Sequence, residues 1–157
     1  HKGSIRAVAF APAGDRFASA GTKGQVKLWG PDGRVENLPP PGSDARTLVF
    51  TSDGRQLFGA GWFDLYRWDL DRRKLTTLDT DHRGIINSIV FDSTETYLAS
   101  ISRITDSSVL MLDPQSGETV RRFQSHKLCG GSIAMAPNGR IMATTADDAS
   151  VMIWMLE

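Results

Sequence analysis

The chain has 157 residues, the size of a single domain, and carries 18 Lys plus Arg against 18 Asp plus Glu. This zero formal net charge gives no support for a nucleic-acid-binding surface, which would need a basic stripe or patch. The single cysteine excludes an internal disulfide and a cysteine-based zinc site. No apolar run reaches about 18 residues, so no membrane-spanning helix is predicted.

Short apolar segments separated by turn residues recur along the chain, and none keeps a helical period, which indicates strands. The first unit contains the predicted strands Ser4–Phe10, Arg16–Ala20, Gln25–Trp29 and Arg34–Leu38. The second contains Ala45–Phe50, Gln56–Ala60, Asp64–Trp68 and Lys74–Leu78. The third contains Ile85–Phe91, Tyr97–Ser102, Ser108–Leu112 and Glu118–Phe123. The fourth begins at His126 and ends in the hairpin Met142–Trp154, whose turn contains two aspartates.

Two sets of anchor residues support a fixed repeat with units 1–40, 41–81, 82–125 and 126–157. The residue nine positions after each unit start is large and apolar: Phe10, Phe50, Phe91 and Met135. The third strand of each unit closes on Trp29, Trp68, Leu112 and Trp154. Two anchors that keep register over four units predict one four-stranded meander per unit.

The inner strands are apolar on both faces, as in Ala7–Phe10 and Ser88–Phe91. Both faces of each sheet must therefore be covered, which favours units stacked face to face. Radial stacking of four-stranded sheets is a β-propeller. The predicted fold class is all-β, with four propeller blades of which the last lacks its outer strand.

Over nearly its whole length the chain resembles WD40-repeat propellers. That family places a His at the unit start, a Ser or Thr on the second strand, an Asp in the next turn and a Trp at the end of the third strand. The fourth unit matches fully, with His126, Thr144, Asp148 and Trp154. The third matches at His82, Ser100 and Asp106, and the first at His1, Ser19 and Trp29. Lys23 stands where the first unit should have Asp, and the second unit has Pro41 and Gly59 in place of His and Ser.

A neutral His between a hydroxyl and a carboxylate can donate from one ring nitrogen and accept on the other. The resemblance implies that each such set stabilises its own blade. A nucleophilic triad of His126, Thr144 and Asp148 is the sharper alternative, but parts of the same set recur at blade spacing, which favours a structural role. The three histidines open different units and would lie far apart in a propeller, so no joint metal site is predicted. We also predict no catalytic residue and no cofactor.

Two neighbouring aromatic residues stand out in the second unit, because Trp62 and Phe63 fall in a turn that normally takes small or acidic residues. Trp is enriched at binding hot spots, so this pair is a candidate partner-binding anchor. The alternative is that Trp62 fills the space left by the missing His and Ser. Four basic residues in connectors at the same predicted face are further candidates: Lys2, Lys23, Arg83 and Lys127.

The first and last blades each present an uncovered apolar face in this prediction. We expect these faces to be covered by further blades of a longer parent protein, or by a second copy that closes an eight-bladed ring. A four-bladed ring from one copy is the remaining possibility.

The resemblance implies a non-catalytic interaction scaffold with a protein or peptide partner. Separately, we expect a cytoplasmic parent, no membrane partner and, given the zero net charge, no nucleic-acid partner. The alternative is a propeller that hosts or gates an enzyme site along its axis, where Arg6 and Arg46 share one repeat position.

Overall fold

The computed structural model describes residues 1–156, which form fifteen β-strands grouped into four antiparallel sheets. We call each sheet a blade. Every blade is a simple meander, in which consecutive strands are hydrogen-bonded neighbours. Within this described range, no helix is long and apolar enough to cross a bilayer. The all-β fold class with four-stranded antiparallel blades, predicted from the sequence, is confirmed.

The chain divides into two compact units, of which the first is His1–Leu78. It contains blades 1 and 2. Blade 1 consists of β1 (Ile5–Phe10), β2 (Phe17–Gly21), β3 (Gln25–Trp29) and β4 (Val35–Asn37). Blade 2 consists of β5 (Thr47–Phe50), β6 (Gln56–Ala60), β7 (Asp64–Asp69) and β8 (Lys74–Asp79).

The second unit begins at Asp79 and contains blades 3 and 4. Blade 3 consists of β9 (Ile85–Phe91), β10 (Leu98–Arg103), β11 (Val109–Leu112) and β12 (Thr119–Phe123). Blade 4 has three strands, β13 (Gly130–Met135), β14 (Ile141–Ala146) and β15 (Val151–Met155). The predicted absence of an outer strand in blade 4 thus holds for the described residues.

Strand bounds agree with the predicted ones to within two residues, and β3, β6 and β9 match fully. The largest difference is at β5, which begins at Thr47 rather than Ala45. The backbone of Arg46 still donates to the carbonyl of Ala60, so pairing with β6 extends slightly beyond the regular ladder. Ala45 itself is fully buried in the connector, which explains why its apolar character resembled that of a strand residue.

Unit 1 is held together by a small-residue face of blade 1 packed against a large-residue face of blade 2. On blade 1, Ala18 pairs with Ala9 on one side and with Leu28 on the other, so these three side chains share a face. They pack with the core that contains Phe50, Leu57 and Trp68 of blade 2. Burying one Trp removes about 150–250 Å² from water, or roughly 4–6 kcal/mol as an upper bound.

Unit 2 repeats the same arrangement with different residues. In blade 3, Ala99 pairs with Val90 and Met111, and these side chains pack with Met142 and Trp154 of blade 4. The rings of Phe123 and Trp154 lie 5.3 Å apart at 59°, a tilted contact that adds to the burial. In both units, the face that carries the closing Trp therefore packs against the alanine-containing face of the blade before it.

Candidate functional site

Blade 4 contains a continuous chain of hydrogen bonds from Trp154 to Asp148. Trp154 Nε1 donates to the Thr144 hydroxyl at 3.0 Å, and that hydroxyl lies 2.9 Å from His126 Nε2. His126 Nδ1 lies 3.0 Å from the Ser150 hydroxyl, which donates to the Asp148 carboxylate. A carboxylate can only accept and a hydroxyl has one proton, so Ser150 donates to Asp148 and must accept from His126 Nδ1, which fixes the direction at the ring. The neutral His126 must then carry its proton on Nδ1.

Blade 3 has the same arrangement without the tryptophan. His82 Nε2 lies 2.8 Å from the Ser100 hydroxyl, and His82 Nδ1 lies 2.8 Å from the Ser108 hydroxyl. Ser108 in turn donates to Asp106 at 2.8 Å. Leu112 cannot donate to Ser100, whose hydroxyl instead approaches the carbonyl oxygen of Leu110 at 3.3 Å. The His–hydroxyl–carboxylate connection thus persists where the Trp is lost.

Blade 1 keeps only half of this chain. The Ser19 hydroxyl accepts a 2.7 Å bond from Trp29 Nε1 and lies 2.7 Å from His1 Nε2. Among residues 1–156, His1 Nδ1 has no hydrogen-bond partner, and Lys23 occupies the position that Asp148 has in blade 4. Gln25 provides a partial substitute, since its side-chain oxygen accepts a bond from the backbone of Lys2 at 2.7 Å.

The hydrogen bonds around the two aspartates shift their pKa values in the same direction. Burial alone would raise the pKa of Asp106, but the nearby His82 ring and bonds from Ser102, Ser108 and the Arg83 backbone together hold it far below its usual range. The bond from the Ser150 hydroxyl is the largest cause of the lowered pKa of Asp148, and the Lys127 backbone adds to it. Both carboxylates are therefore ionised acceptors in the folded chain.

Two residues of these sets, Ser108 and Ser150, were missed in the sequence analysis. Each lies two positions after the turn aspartate and bridges it to the histidine ring. The spacing Asp-x-Ser was visible in the sequence at Asp106 and Asp148. The direct contacts are longer, with His82 Nδ1 3.8 Å and His126 Nδ1 3.4 Å from the nearest carboxylate oxygen.

Blade 2 replaces the missing set with a different pair of residues. The Tyr66 hydroxyl lies 2.6 Å from that of Ser43, which joins the third strand of the blade to the connector before it. Tyr66 is fully buried, and burial raises the pKa of its hydroxyl. Trp68 Nε1 donates to the carbonyl oxygen of Pro39 at 2.8 Å. Gly59 leaves room here, because a Cβ at this position would lie 3.1 Å from Trp68 Cζ3.

The exposure of Trp62 bears on its two interpretations. Its side chain is 40% exposed, whereas a ring that filled the space of the missing His and Ser would be expected to be buried. The neighbouring Phe63 is 46% exposed, and the two rings lie 5.5 Å apart at 56°. We call Trp62 and Phe63 the hairpin tip of blade 2.

The backbone of this hairpin tip is tightly constrained. Phe63 has a φ of 65°, in the left-handed region that a residue with a bulky side chain adopts at a cost. In the corresponding hairpin of blade 1, Gly24 takes a similar φ of 66°. Asp64 N donates to the Trp62 carbonyl at 2.8 Å, and a Cβ at Gly61 would lie 2.0 Å from the Asp44 carbonyl oxygen. The aromatic pair is thus held in place by close backbone packing beneath it.

The four candidate basic residues share one local feature. The backbone N–H of each donates to a side chain that anchors it, while the side chain of the residue itself is exposed. The acceptors for Lys2, Lys23, Arg83 and Lys127 are respectively Gln25, Asp44, Asp106 and Asp148.

In unit 1, Asp44 brings one of these residues close to the hairpin tip. Its carboxylate accepts from Lys23 at 2.8 Å, and its carbonyl packs against Gly61. Lys23 therefore lies beside the hairpin tip. Lys2 lies at the same end of blade 1, because its backbone N–H bonds to Gln25, two residues after Lys23. Arg83 and Lys127 belong to unit 2 and carry the same arrangement there.

A sequence comparison matches these blades to a known repeat. The family model described as "WD domain, G-beta repeat" matches residues 1–30 and 117–155. These segments contain Trp29 and Trp154, the two tryptophans that bond to a Ser or Thr hydroxyl. In these two regions the chain matches the WD40 repeat. Blades 2 and 3 differ most from the WD40 pattern, because one lacks the His and the Ser and the other lacks the Trp.

Several curated proteins with WD40-like similarity cover nearly the entire chain. Protein HIR1 from Cryptococcus neoformans is 28% identical over 158 residues, covering 100% of this chain and 15% of its own length. The human WD repeat-containing protein 36 is 26% identical, covering 98% of the chain and 17% of its own length. Striatin-4 from Mus musculus is 24% identical, covering 100% and 22%. The chain therefore spans less than a quarter of the length of these relatives.

Proposed function

We propose that this WD40 segment is a non-catalytic interaction scaffold and that the hairpin tip of blade 2 anchors a protein or peptide partner. The observation that carries the proposal is the exposed pair Trp62 and Phe63, whose rings lie 5.5 Å apart in the blade 2 hairpin. The left-handed backbone of Phe63 recurs at Ala149 in the blade 4 hairpin, so it belongs to the hairpin geometry and the proposal rests on the exposed rings.

The surroundings of the hairpin tip suit a peptide ligand. Two adjoining rings supply rigid apolar area at low entropic cost, as at binding hot spots. Lys23 and Asp44 lie next to them and offer charges of both signs. We propose that these residues form the polar rim around an aromatic centre, with Lys2 at the same end. Arg83 and Lys127 are the corresponding rim candidates in unit 2.

The names of the relatives support the scaffold role in this proposal, without bearing on the hairpin tip. HIR1, WD repeat-containing protein 36 and striatin-4 are not named as enzymes, and WD40 repeats are known chiefly as binding modules. The alternative of an enzyme site at Arg6 and Arg46 gains no support from these comparisons.

A peptide-display selection tests the site directly. Peptides selected on the wild-type chain are measured for binding to Trp62→Ala and Phe63→Gly, with Val120→Ala as a control at an exposed apolar residue in the other unit. We expect most selected peptides to lose at least tenfold in affinity with either tip variant, which corresponds to about 1.4 kcal/mol, and to retain affinity for the control. Equal binding to all four proteins would contradict the proposed site.

A further inference from the structure

A groove of about 720 Å³ lies in unit 1, between blades 1 and 2 and away from the hairpin tip. Its walls are Arg16 just before β2, the turn that joins β3 to β4, and Arg73 in the turn that joins β7 to β8. The hairpin tip joins β6 to β7 and therefore lies at the other end of β7, because neighbouring strands of a meander are antiparallel. We call this site the arginine groove.

Arg16 is the arginine of this groove that has no carboxylate partner among residues 1–156. Its Nη2 donates to the carbonyl oxygen of Gly54 at 2.7 Å, which holds the half-buried side chain between blade 1 and the β5–β6 turn. This bond uses one of the five N–H groups of a guanidinium, and the others can still bind a carboxylate in a bidentate arrangement. Because Arg16 is already held in place, a ligand that pairs with it costs little further side-chain entropy.

The other two arginines are paired with carboxylates of the same groove. Arg34 Nε lies 2.9 Å from an Asp32 oxygen, and Arg73 Nη1 lies 3.2 Å from a Glu36 oxygen. Both arginine side chains are largely exposed, and ion pairs at such positions contribute little net stability, so a ligand can share or replace them. Three guanidinium groups against two carboxylates leave the lining with one net positive charge.

The arginine groove also has an apolar part. Leu28 of β3 packs against the buried core of unit 1 and lines the groove together with Pro31. The volume is that of a site for several groups rather than for one ion. A ligand that places an apolar side chain on Leu28 removes apolar surface from water while its charged group pairs with Arg16.

We propose that the arginine groove binds an acidic segment of a protein partner, with a carboxylate at Arg16 and a neighbouring apolar side chain on Leu28. The single net positive charge of the lining fits one carboxylate. A phosphorylated side chain would bring close to two negative charges beside Asp32 and Glu36, and a nucleic-acid strand would bring a row of them. The two carboxylates of the groove therefore favour an acidic peptide. This site is independent of the proposed function, because it lies away from the hairpin tip.

Fluorescence anisotropy with synthetic peptides tests this proposal on the full chain. The probes are short labelled peptides with one Glu and one Leu at varied spacing in a Gly and Ser background. Matched sets carry Gln or phosphoserine in place of Glu, or Ala in place of Leu. We expect the tightest Glu–Leu peptide to lose about tenfold in affinity with Gln, to lose affinity with Ala, and to bind more weakly as salt is raised. Equal binding of the Gln set, or tighter binding of the phosphoserine set, overturns the proposal.

Matched variants of the chain assign this binding to the groove. Arg16→Gln and Arg73→Gln each remove one positive charge from it, and Arg73 lies exposed in a turn, so its loss should leave the fold intact. Each should weaken the tightest Glu–Leu peptide severalfold. Arg55→Gln is the control, because it removes the same charge from an exposed arginine of blade 2 outside the groove. It should keep full affinity, and so should Trp62→Ala.

Circular dichroism checks the fold of every variant. Unchanged affinity in both Arg16→Gln and Arg73→Gln overturns the proposal, as does an equal loss in Arg55→Gln, which would indicate attraction by overall charge. A peptide that loses affinity with Trp62→Ala but not with Arg73→Gln binds at the hairpin tip, which supports the proposed function and overturns this second site.

Discussion

The hydroxyls of Tyr66 and Ser43 lie 2.6 Å apart in blade 2, the blade that lacks the His and Ser of the WD40 pattern. In blades 1, 3 and 4 a histidine joins the connector to the strands of its blade, with its Nε2 2.7–2.9 Å from a hydroxyl on the second strand. In blade 2, Tyr66 makes the corresponding connection from the third strand. In blade 2 the hydrogen bond between the connector and the blade is thus made by a different pair of residues.

Removal of the Tyr66 hydroxyl should destabilise unit 1. Tyr66→Phe keeps the buried ring but loses the bond to Ser43, and we expect the free energy of unfolding to fall by about 1–2 kcal/mol. Urea unfolding followed by tryptophan fluorescence measures this loss. In a double-mutant cycle with Ser43→Ala, the two losses should not add, because either change breaks the same bond. Additive losses would show that the two hydroxyls do not interact.

Replacing Gly59 by the Ser of the WD40 pattern should destabilise the folded chain. Gly59→Ser places a Cβ about 3 Å from three groups: Leu48 Cδ2, the Thr47 carbonyl oxygen and Trp68 Cζ3. The backbone oxygen cannot move without disturbing β5, so we expect a loss of about 1–3 kcal/mol. Urea unfolding provides the measurement, and Gly59→Ala separates steric crowding from the added hydroxyl. A stabilised Gly59→Ser variant would contradict the packing that we describe.

The acid sensitivity of unit 2 should depend on Asp106. Its folded-state pKa lies below the unfolded value of about 3.9, so the unfolded chain binds the proton first as the pH falls. The carboxylate therefore contributes stability that is fully present above about pH 5 and is lost progressively below pH 4. We expect Asp106→Asn to be less stable than wild type at pH 5 and the difference to shrink by pH 3. A difference that is constant over this range would contradict the lowered pKa.

The proton on His126 offers a direct check of the hydrogen-bond direction in blade 4. Ser150 donates its one proton to the Asp148 carboxylate, so it must accept from His126 Nδ1, and His126 Nε2 then accepts from Thr144. Long-range ¹H–¹⁵N correlation spectra above pH 7 distinguish the two tautomers. We expect the Nδ1–H form in wild type and a mixture in Asp148→Asn, whose amide can donate to Ser150 and so leave the Ser150 proton free to point to Nδ1. A predominant Nε2–H form in the wild type would reverse the assigned direction.

The fold was largely predictable because each strand is short, apolar and bounded by turn residues. In addition, each unit repeats two anchors: a large apolar residue nine positions after its start, and a Trp, or Leu112 in the third unit, at the end of its third strand. The substitution of Tyr66 for the histidine was not predictable. Ser43 and Tyr66 are 23 residues apart, and neither position belongs to the repeat pattern that the sequence reveals. Ser150, in contrast, was predictable from its position two residues after Asp148. The sequence carried the signal, but the family pattern drew attention only to the aspartate.

Phe63 provides the last test, because its effects on stability and on binding should have opposite signs. Phe63→Gly relieves the left-handed strain at a φ of 65°, against the greater freedom of glycine in the unfolded chain. We expect the free energy of unfolding to stay the same or rise by up to about 1 kcal/mol, while selected peptides lose affinity. Ala149→Gly is the matched control, since Ala149 has a φ of 60° in the blade 4 hairpin. It should gain similar stability in urea unfolding and keep full peptide binding. A Phe63→Gly variant that loses more stability than Trp62→Ala would show that the Phe63 ring serves the fold instead of a partner.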